Sequence, residues 1–343
     1  MFAGSGSKGC AFWGLLIVLL GGKMLGKKRA YGRVARKDSR IVLRIIILAS
    51  VLLLIAAAVW LCYRLTRKYV RNSNSVSALY NYWEEGDNKK VYEIADAILD
   101  RSPLHNTART MRGFSAFKLG FAEPDDMTQR QTYFDRAIND LRVALQTARR
   151  DSVGQTEYVL GLTYFHKDKS SSFHYYADLA VKYLEDAREH GYKSDDIPEL
   201  LGLSYADLGD TGKSLESFTE ALLIRESDTL LYNIAKQYFK NGDGAVAKQY
   251  LVRALQMSGD DDILIKSHFI LGQIYTGEKN YSAAKSEFES ILEKNVNSAD
   301  AHYGLGVLYE QQGDMAKARA EWRTCLKLQA EYPAAEKKLS EIR

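Results

Sequence analysis

Bulky and very small residues recur in the second half of the chain at a nearly constant spacing. Leu271-Gly272 is followed 34 residues later by Leu305-Gly306, and in both places a tyrosine stands three residues after the glycine. Large and small residues that return three or four positions apart indicate helices with one buried face. A fixed period of this size predicts helix pairs that stack on one another, not a single globular core. We therefore predict an all-α fold.

The complete pattern is a leucine-glycine pair, a tyrosine three residues later, and then an alanine and an aromatic residue four apart. It resembles the tetratricopeptide (TPR) repeat family. The resemblance implies an α-solenoid of antiparallel helix pairs, in which small residues let two helices approach closely and bulky residues fill the groove to the next pair. It also implies a binding surface that carries no chemistry of its own. The two best copies are Leu271-Gly272, Tyr275, Ala284 and Phe288, and Leu305-Gly306, Tyr309, Ala318 and Trp322.

The repeat register extends over most of the chain but weakens toward its N-terminal half. We predict a TPR-like solenoid over 72–332 with about seven repeats, which match best from residue 195. Upstream, extra residues near 120–130 and 167–174 interrupt the spacing. Pro333 begins a short charged segment with apolar residues on one face, so we predict a capping helix at 333–343.

An apolar segment precedes the repeats. Ile45–Cys62 contains no charged residue over 18 positions. At about 1.5 Å per residue such a helix is roughly 27 Å long, close to the ~30 Å hydrocarbon core of a bilayer. Trp60 and Tyr63 stand where an interfacial aromatic belt is expected. The resulting divisions are a basic N-terminal segment at 1–44, a transmembrane helix at 45–63 and a basic juxtamembrane linker at 64–71.

The basic residues around the apolar segment indicate its orientation. Eight Lys or Arg residues lie between Lys27 and Arg44, and four lie between Arg64 and Arg71. Positive flanks are retained in the cytoplasm, so we predict a single-pass protein of the inner (cytoplasmic) membrane with a cytoplasmic N-terminus and a periplasmic solenoid. A second apolar run at 11–22 is too short to span comfortably, and translation from Met24 instead of Met1 stays open.

Charge divides the chain into two parts of opposite sign. Residues 1–71 contain 14 Lys or Arg and one acidic residue, whereas residues 72–343 contain 33 basic and 42 acidic residues, a net charge of −9. Binding to nucleic acid needs a positive folded part, so we predict no nucleic acid partner. The expected partners are the lipid bilayer, through 45–63, and another protein.

No arrangement of reactive residues in the sequence predicts catalysis. Cys10, Cys62 and Cys325 are too scattered for a zinc site or a disulfide framework. His268 and His302 are 34 residues apart because both occupy the same position of successive repeats. We therefore predict no enzyme activity, no metal site and no cofactor.

The TPR resemblance also implies which residues line the concave groove. In the family, five positions of the first helix in each repeat face that groove, and six of the eight residues that we assign to it here are aromatic. Aromatic side chains bury a large area with little loss of entropy, so an extended peptide or a partner helix is the expected occupant. In the first two repeats the equivalents are Tyr80, Trp83, Phe114 and Phe117. The predicted groove residues are Tyr158, Phe165, Tyr232, Lys236, Phe239, Phe269, Gln273 and Tyr303.

These observations predict a non-enzymatic, membrane-anchored TPR scaffold that mediates protein–protein interaction in the assembly of a bacterial envelope machine, at the periphery of a secretion system, pilus or flagellar motor. Homo- and hetero-oligomers both stay open. An alternative is a periplasmic TPR module that binds a small hydrophobic ligand or serves a transporter, with a pocket closed by the insertion at 120–130 or 167–174. A third hypothesis places an enzyme site in those insertions.

Overall fold

The computed structural model describes residues 35–73, 75–123, 126–170 and 175–341. All regular secondary structure in these ranges is α-helix, in sixteen helices, so the predicted all-α class is confirmed. The apolar run at 11–22 and the two candidate start residues, Met1 and Met24, lie outside the described residues. The chain divides into two compact units, Met1–Val70 and Arg71–Arg343.

The first unit contains most of one long helix, α1 (Ala35–Ser73). The segment Leu43–Thr66 of this helix has a mean hydropathy of 3.0 and no buried residue. Among the described residues, α1 is the one helix that is long and apolar enough to cross a membrane. The predicted span 45–63 lies inside it. The basic linker predicted at 64–71 is helical, because no glycine or proline between Ala35 and Ser73 interrupts the helix.

The second unit is a series of helix pairs, and each pair has a first helix A and a second helix B. Each helix packs most extensively on its partner and on the helices next to it in the chain, and a final helix packs on the last pair. The pairs are α2 (Val76–Glu84) with α3 (Asn88–Leu99), α4 (Asn106–Phe121) with α5 (Met127–Leu145), α6 (Val153–Lys169) with α7 (Ala177–Glu189), α8 (Ile197–Asp207) with α9 (Thr211–Ile224), α10 (Asp228–Lys240) with α11 (Gly244–Met257), α12 (Asp261–Gly277) with α13 (Tyr281–Lys294) and α14 (Ala299–Gln311) with α15 (Met315–Leu328), followed by α16 (Pro333–Glu341).

A very small residue marks the point where helix A crosses helix B. A Cβ placed on Gly306 would lie 2.3 Å from Nε1 of Trp322, and a Cβ on Gly272 would lie 2.6 Å from the ring of Phe288. Both rings are fully buried. The absence of a side chain at each glycine therefore lets one large ring fill the space between two helices at close approach. These equivalent crossings are the solenoid geometry that the sequence predicts.

Five of the seven turns from helix A to helix B share one backbone design. A residue with positive φ ends helix A, and the next residue is an aspartate or asparagine that begins helix B. In four of the five turns its side chain accepts a hydrogen bond from the backbone N–H three residues later, which caps the new helix. The five turns are Gly86-Asp87, Gly209-Asp210, Gly242-Asp243, Lys279-Asn280 and Gly313-Asp314.

The second helix pair is joined to the first by buried charges. Arg112 occupies the register position that holds leucine in the later repeats, and it donates two hydrogen bonds to Asp140, at 2.6 and 2.8 Å. It also pairs with Asp96 on α3. Both Arg112 and Asp140 are buried, so breaking this pair would leave an uncompensated charge. The Arg112–Asp140 bonds lie within the second pair, and the contact with Asp96 adds to the apolar contacts that Ala108 and Met111 make with the first pair.

We expect Gly306→Leu to destabilise the last helix pair, because its side chain would displace the Trp322 ring from the crossing. Overpacking of this kind costs on the order of 1–3 kcal/mol. Gly212→Leu is the matched control, since a Cβ there has only one neighbour, at 3.7 Å, and the residue is exposed. Urea unfolding of the full chain in detergent, followed by circular dichroism, measures both. Equal midpoints for the two variants would contradict the crossing geometry.

We expect Lys279→Gly to stabilise the solenoid. Lys279 has a φ of 61°, a left-handed conformation that four of the five equivalent turns assign to glycine. Replacing the lysine by glycine removes that backbone strain from the folded state. The resulting gain in the free energy of unfolding should exceed the entropic cost of a more flexible unfolded chain by roughly 0.5–1 kcal/mol. Gly313→Lys is the reciprocal variant and should lower stability. The same unfolding experiment tests both variants, and a lower midpoint for Lys279→Gly would show that this turn is not left-handed.

Candidate functional site

The first helices of the pairs form one continuous face. The A helices α8, α10, α12 and α14 contact one another in succession, in addition to their own B helices. Side chains that project from this side of the A helices therefore share a common surface. We call this surface the groove, and its C-terminal part is formed by α10, α12 and α14.

A cavity of about 450 Å³ opens into the C-terminal part of the groove. It brings together three of the predicted groove residues, Phe239 on α10, Gln273 on α12 and Tyr303 on α14, so each comes from a different repeat. We call this cavity the α10–α14 pocket. Its size is within the range of about 300–1,000 Å³ that is typical of ligand sites. The remaining lining residues are Thr276, Gly277, Phe288, Gly304, Val307 and Gln311.

The floor of the α10–α14 pocket is the ring of Phe288, which reaches it from helix B of the sixth pair. A Cβ on Gly304 would lie 2.3 Å from this ring, so two glycines, Gly272 and Gly304, make room for it on either side. Phe269, another predicted groove residue, has its ring centroid 6.1 Å from that of Phe288. Phe269 therefore supports the pocket floor and is half-buried.

Lysines gather in the groove beside the pocket. The side chain of Lys236 reaches solvent, yet partial burial lowers the pKa of its ammonium group, and the neighbouring charges of Lys240, Lys169 and Lys266 lower that pKa further. Asp207 acts in the opposite direction. These four lysines come from α6, α10 and α12, so the groove concentrates positive charge from three repeats.

Only part of this positive charge is neutralised. Lys169 pairs with Asp207, and Lys266 pairs with Asp262 one helical turn away. Over the described residues, Lys236 forms no ion pair. Lys240, on the same helix, also forms none in this part of the chain. Two ammonium groups therefore stay available to an anionic partner.

One further predicted residue, Tyr232, and the pocket residue Tyr303 are half-buried along the same face. Burial raises the pKa of both phenols. The ring of Tyr303 lies 5.1 Å from that of Tyr332, whose hydroxyl donates to Asp300 at 2.8 Å. Tyr303 is thereby held by the segment that leads into α16, so the end of the solenoid helps to shape the pocket.

The structure does not place the other two predicted residues, Tyr158 and Phe165, at this pocket. The Tyr158 ring lies 4.8 Å from that of Tyr192, and its hydroxyl donates to Asp196 at 2.6 Å, which joins the third pair to the fourth. Burial and this hydrogen bond raise its pKa. Phe165 is only 7% exposed and belongs to the core. Both side chains are used mainly in packing.

A second cavity, of about 540 Å³, lies between the first three pairs. It brings together Tyr80, Trp83 and Phe114, three of the four residues that the register assigns to the groove in the first two repeats. The fourth, Phe117, instead stacks among aromatic rings and lies 5.9 Å from His166. The N-terminal half of the groove thus has an aromatic recess of its own.

Six of the nine pocket residues were not predicted as groove residues from the sequence, and three of these six are instructive. Val307 occupies the same register position of helix A as the predicted residue Lys236, and Gln311 the same position as Lys240, so the register could have identified both. Gly304 has a different signal: it is a second glycine in the helix that already carries the crossing glycine. A small residue at that point leaves space for the ring beneath it.

The histidines and cysteines in the described residues do not form a reactive group. His268 contacts Glu287 at 2.6 Å and His302 contacts Glu321 at 2.7 Å, in each case from helix A to helix B. This repeated pair links the two helices of a repeat. No cluster of three or more metal-binding side chains occurs in the part of the chain that the structure describes. Burial raises the pKa of the Cys325 thiol to about 11.

Comparisons with known proteins agree with this geometry. A model of the tetratricopeptide repeat matches residues 269–335, and a second matches 199–228. The chain is 30% identical over 128 residues to anaphase-promoting complex subunit CDC16 of Saccharomyces cerevisiae, a match that covers 36% of this chain and 15% of that protein. The chain thus spans a small part of the length of this curated relative.

Solved structures of two bacterial TPR proteins are also similar. The C-terminal part of a TPR repeat-containing protein from Cytophaga hutchinsonii has a TM-score of 0.54 at 12% sequence identity. The match covers 77% of this chain and 98% of that structure's chain. A tetratricopeptide repeat protein from Parabacteroides merdae has a TM-score of 0.52 at 16% sequence identity. That match covers 65% of this chain and 82% of the other structure's chain. Such likeness shows the fold. Residues 199–228 and 269–335 match the tetratricopeptide repeat, and these repeats support a role as a protein-interaction scaffold.

Proposed function

We propose that this chain is a non-enzymatic, membrane-anchored scaffold that binds a segment of a protein partner in its groove. The observation that carries the proposal is the α10–α14 pocket, where Phe239, Gln273 and Tyr303 converge from three repeats beside unpaired lysines. A concave site with an apolar floor and a few polar groups is suited to recognition. Its residues come from successive repeats, so an extended peptide or a helix would contact several repeats at once.

The anchor in this proposal is Leu43–Thr66, whose side chains are all exposed in an apolar helix. Exposure of such a surface to water is unfavourable, and a bilayer would cover it. Together with the basic flank before the span, this favours a single-pass protein of the inner membrane with a periplasmic solenoid. The partner would then belong to an envelope machine, such as the periphery of a secretion system, pilus or flagellar motor; this last step is analogy with other anchored repeat proteins.

A second candidate function is that of a module that binds a small hydrophobic ligand or serves a transporter. The observation that favours it is the volume of the α10–α14 pocket, about 450 Å³, over the apolar ring of Phe288. The pocket lies on α10, α12 and α14, not at the insertions near 120–130 and 167–174. A small ligand would therefore occupy the same pocket as the proposed peptide.

We expect the double variant Tyr232→Ala with Phe269→Ala to lose most of its partner capture, because both rings line or support the groove. Crosslinking in native membranes followed by co-purification and mass spectrometry measures the captured proteins. Truncation of a central aromatic anchor typically weakens binding by about 2 kcal/mol or more.

The matched control is Leu223→Ala, an apolar residue on α9 that is 85% exposed and outside the groove. Circular dichroism verifies that each variant is folded. If the double variant is folded and captures its partners as well as the unchanged protein does, the groove is not the binding surface.

We expect Leu53→Arg with Leu54→Arg to shift the protein from the membrane to the soluble fraction. Each arginine near the centre of a span disfavours insertion by roughly 2.5–3.5 kcal/mol. Leu104→Arg is the control, since Leu104 is 86% exposed in the solenoid. A phosphatase that is active only outside the cytoplasm, fused after Arg343, should be active in the unchanged protein. An inactive fusion would reverse the proposed orientation.

A further inference from the structure

The lysines of the groove stand in contrast to the charge of the rest of the solenoid. Residues 72–343 have a net charge of −9. In the groove, however, Lys169, Lys240 and Lys266 all lie close enough to Lys236 to lower the pKa of its ammonium group, and of these four lysines only Lys169 and Lys266 are paired with carboxylates. An isolated positive region on an acidic body concentrates the field at one place and attracts an anionic group there.

The lysines of the groove adjoin the α10–α14 pocket, both the unpaired Lys236 and the paired Lys266. Lys236 precedes the pocket residue Phe239 by three positions on α10, about 4.5 Å along the helix axis. On α12, Lys266 precedes the pocket residue Gln273 by seven positions, roughly 10.5 Å. An extended chain advances about 3.3 Å per residue, so two to four residues would connect the lysines with the pocket.

The pocket itself suits one large apolar side chain of such a segment. Its floor is the Phe288 ring, and Val307 and Tyr303 form part of its walls. Gln273 and Gln311 also line it, and neither side-chain amide makes a hydrogen bond within the described residues. Amides in this position can bind the peptide backbone on either side of an inserted side chain.

We propose that the groove recognises a peptide segment of its protein partner in which one or two Asp or Glu side chains stand two to four residues from a large apolar residue. The carboxylates contact Lys236 and Lys240, and the apolar side chain enters the α10–α14 pocket. This inference rests on the proposed function, since it specifies the occupant of the same groove. The anionic groups are side chains within the segment, not a free C-terminus.

The test uses the full chain in detergent and fluorescein-labelled peptides of about ten residues with blocked ends. One series places two glutamates two, three or four residues from a single tryptophan. Matched peptides carry glutamine for glutamate or alanine for tryptophan. Fluorescence anisotropy gives Kd, and the acidic, tryptophan-containing series should bind at least about tenfold more tightly than either matched series.

The protein variants assign each contact. Lys236→Gln with Lys240→Gln should weaken binding of the acidic peptides about tenfold and reduce the dependence of Kd on salt, while the glutamine peptides should be unaffected. Val307→Trp should fill the pocket and abolish the preference for tryptophan over alanine. The control is Lys285→Gln, an exposed lysine of α13 that pairs with Glu289 at 3.2 Å and should leave every Kd unchanged.

Several outcomes would overturn this inference. They are binding that needs a free C-terminus, equal binding of glutamate and glutamine peptides, unchanged affinity in the double lysine variant, or no peptide binding at all. In each case, loss of partner capture in the Tyr232→Ala, Phe269→Ala variant would still support the groove as the binding surface. Failure of the peptide preference and failure of the proposed function are therefore distinguishable.

Discussion

The contact on which this structure depends is an aromatic ring packed directly on a glycine between two helices. Trp322 on Gly306 and Phe288 on Gly272 are the clearest examples. Any side chain at the glycine would push the ring out and separate the helices, so the pair could no longer bury its apolar side. Each pair is stable only when its neighbours cover it, and repetition of the same contact therefore produces a solenoid.

The same contact also creates the candidate binding site. The Phe288 ring packs on Gly272 within the sixth pair and also contacts Gly304 of the seventh pair. The same ring forms the floor of the α10–α14 pocket. Packing and the proposed recognition would share one side chain here, while the lysines of α10 and α12 add charge beside it. The groove therefore follows from how the pairs stack.

The sequence was most informative where the repeats are regular. From residue 195 onward, the glycine crossings and the A-to-B turns could be predicted, and three of the predicted groove residues meet in one pocket. Prediction failed where another interaction replaced the pattern. Arg112 stands where leucine is expected because Asp140 neutralises it in the core, and Phe165 turns into the core although its register position faces the groove. Neither a buried ion pair nor the direction of a single ring is visible in the spacing of residues.

The shared position of Phe288 links the size of the pocket to the bend of the solenoid. The ring touches both the sixth and the seventh pair, so a change in the angle between them would widen or narrow the space above it. An occupant wedged in that space would resist the change and stiffen this end of the array. The angle between the sixth and seventh pairs would then report whether the pocket is occupied.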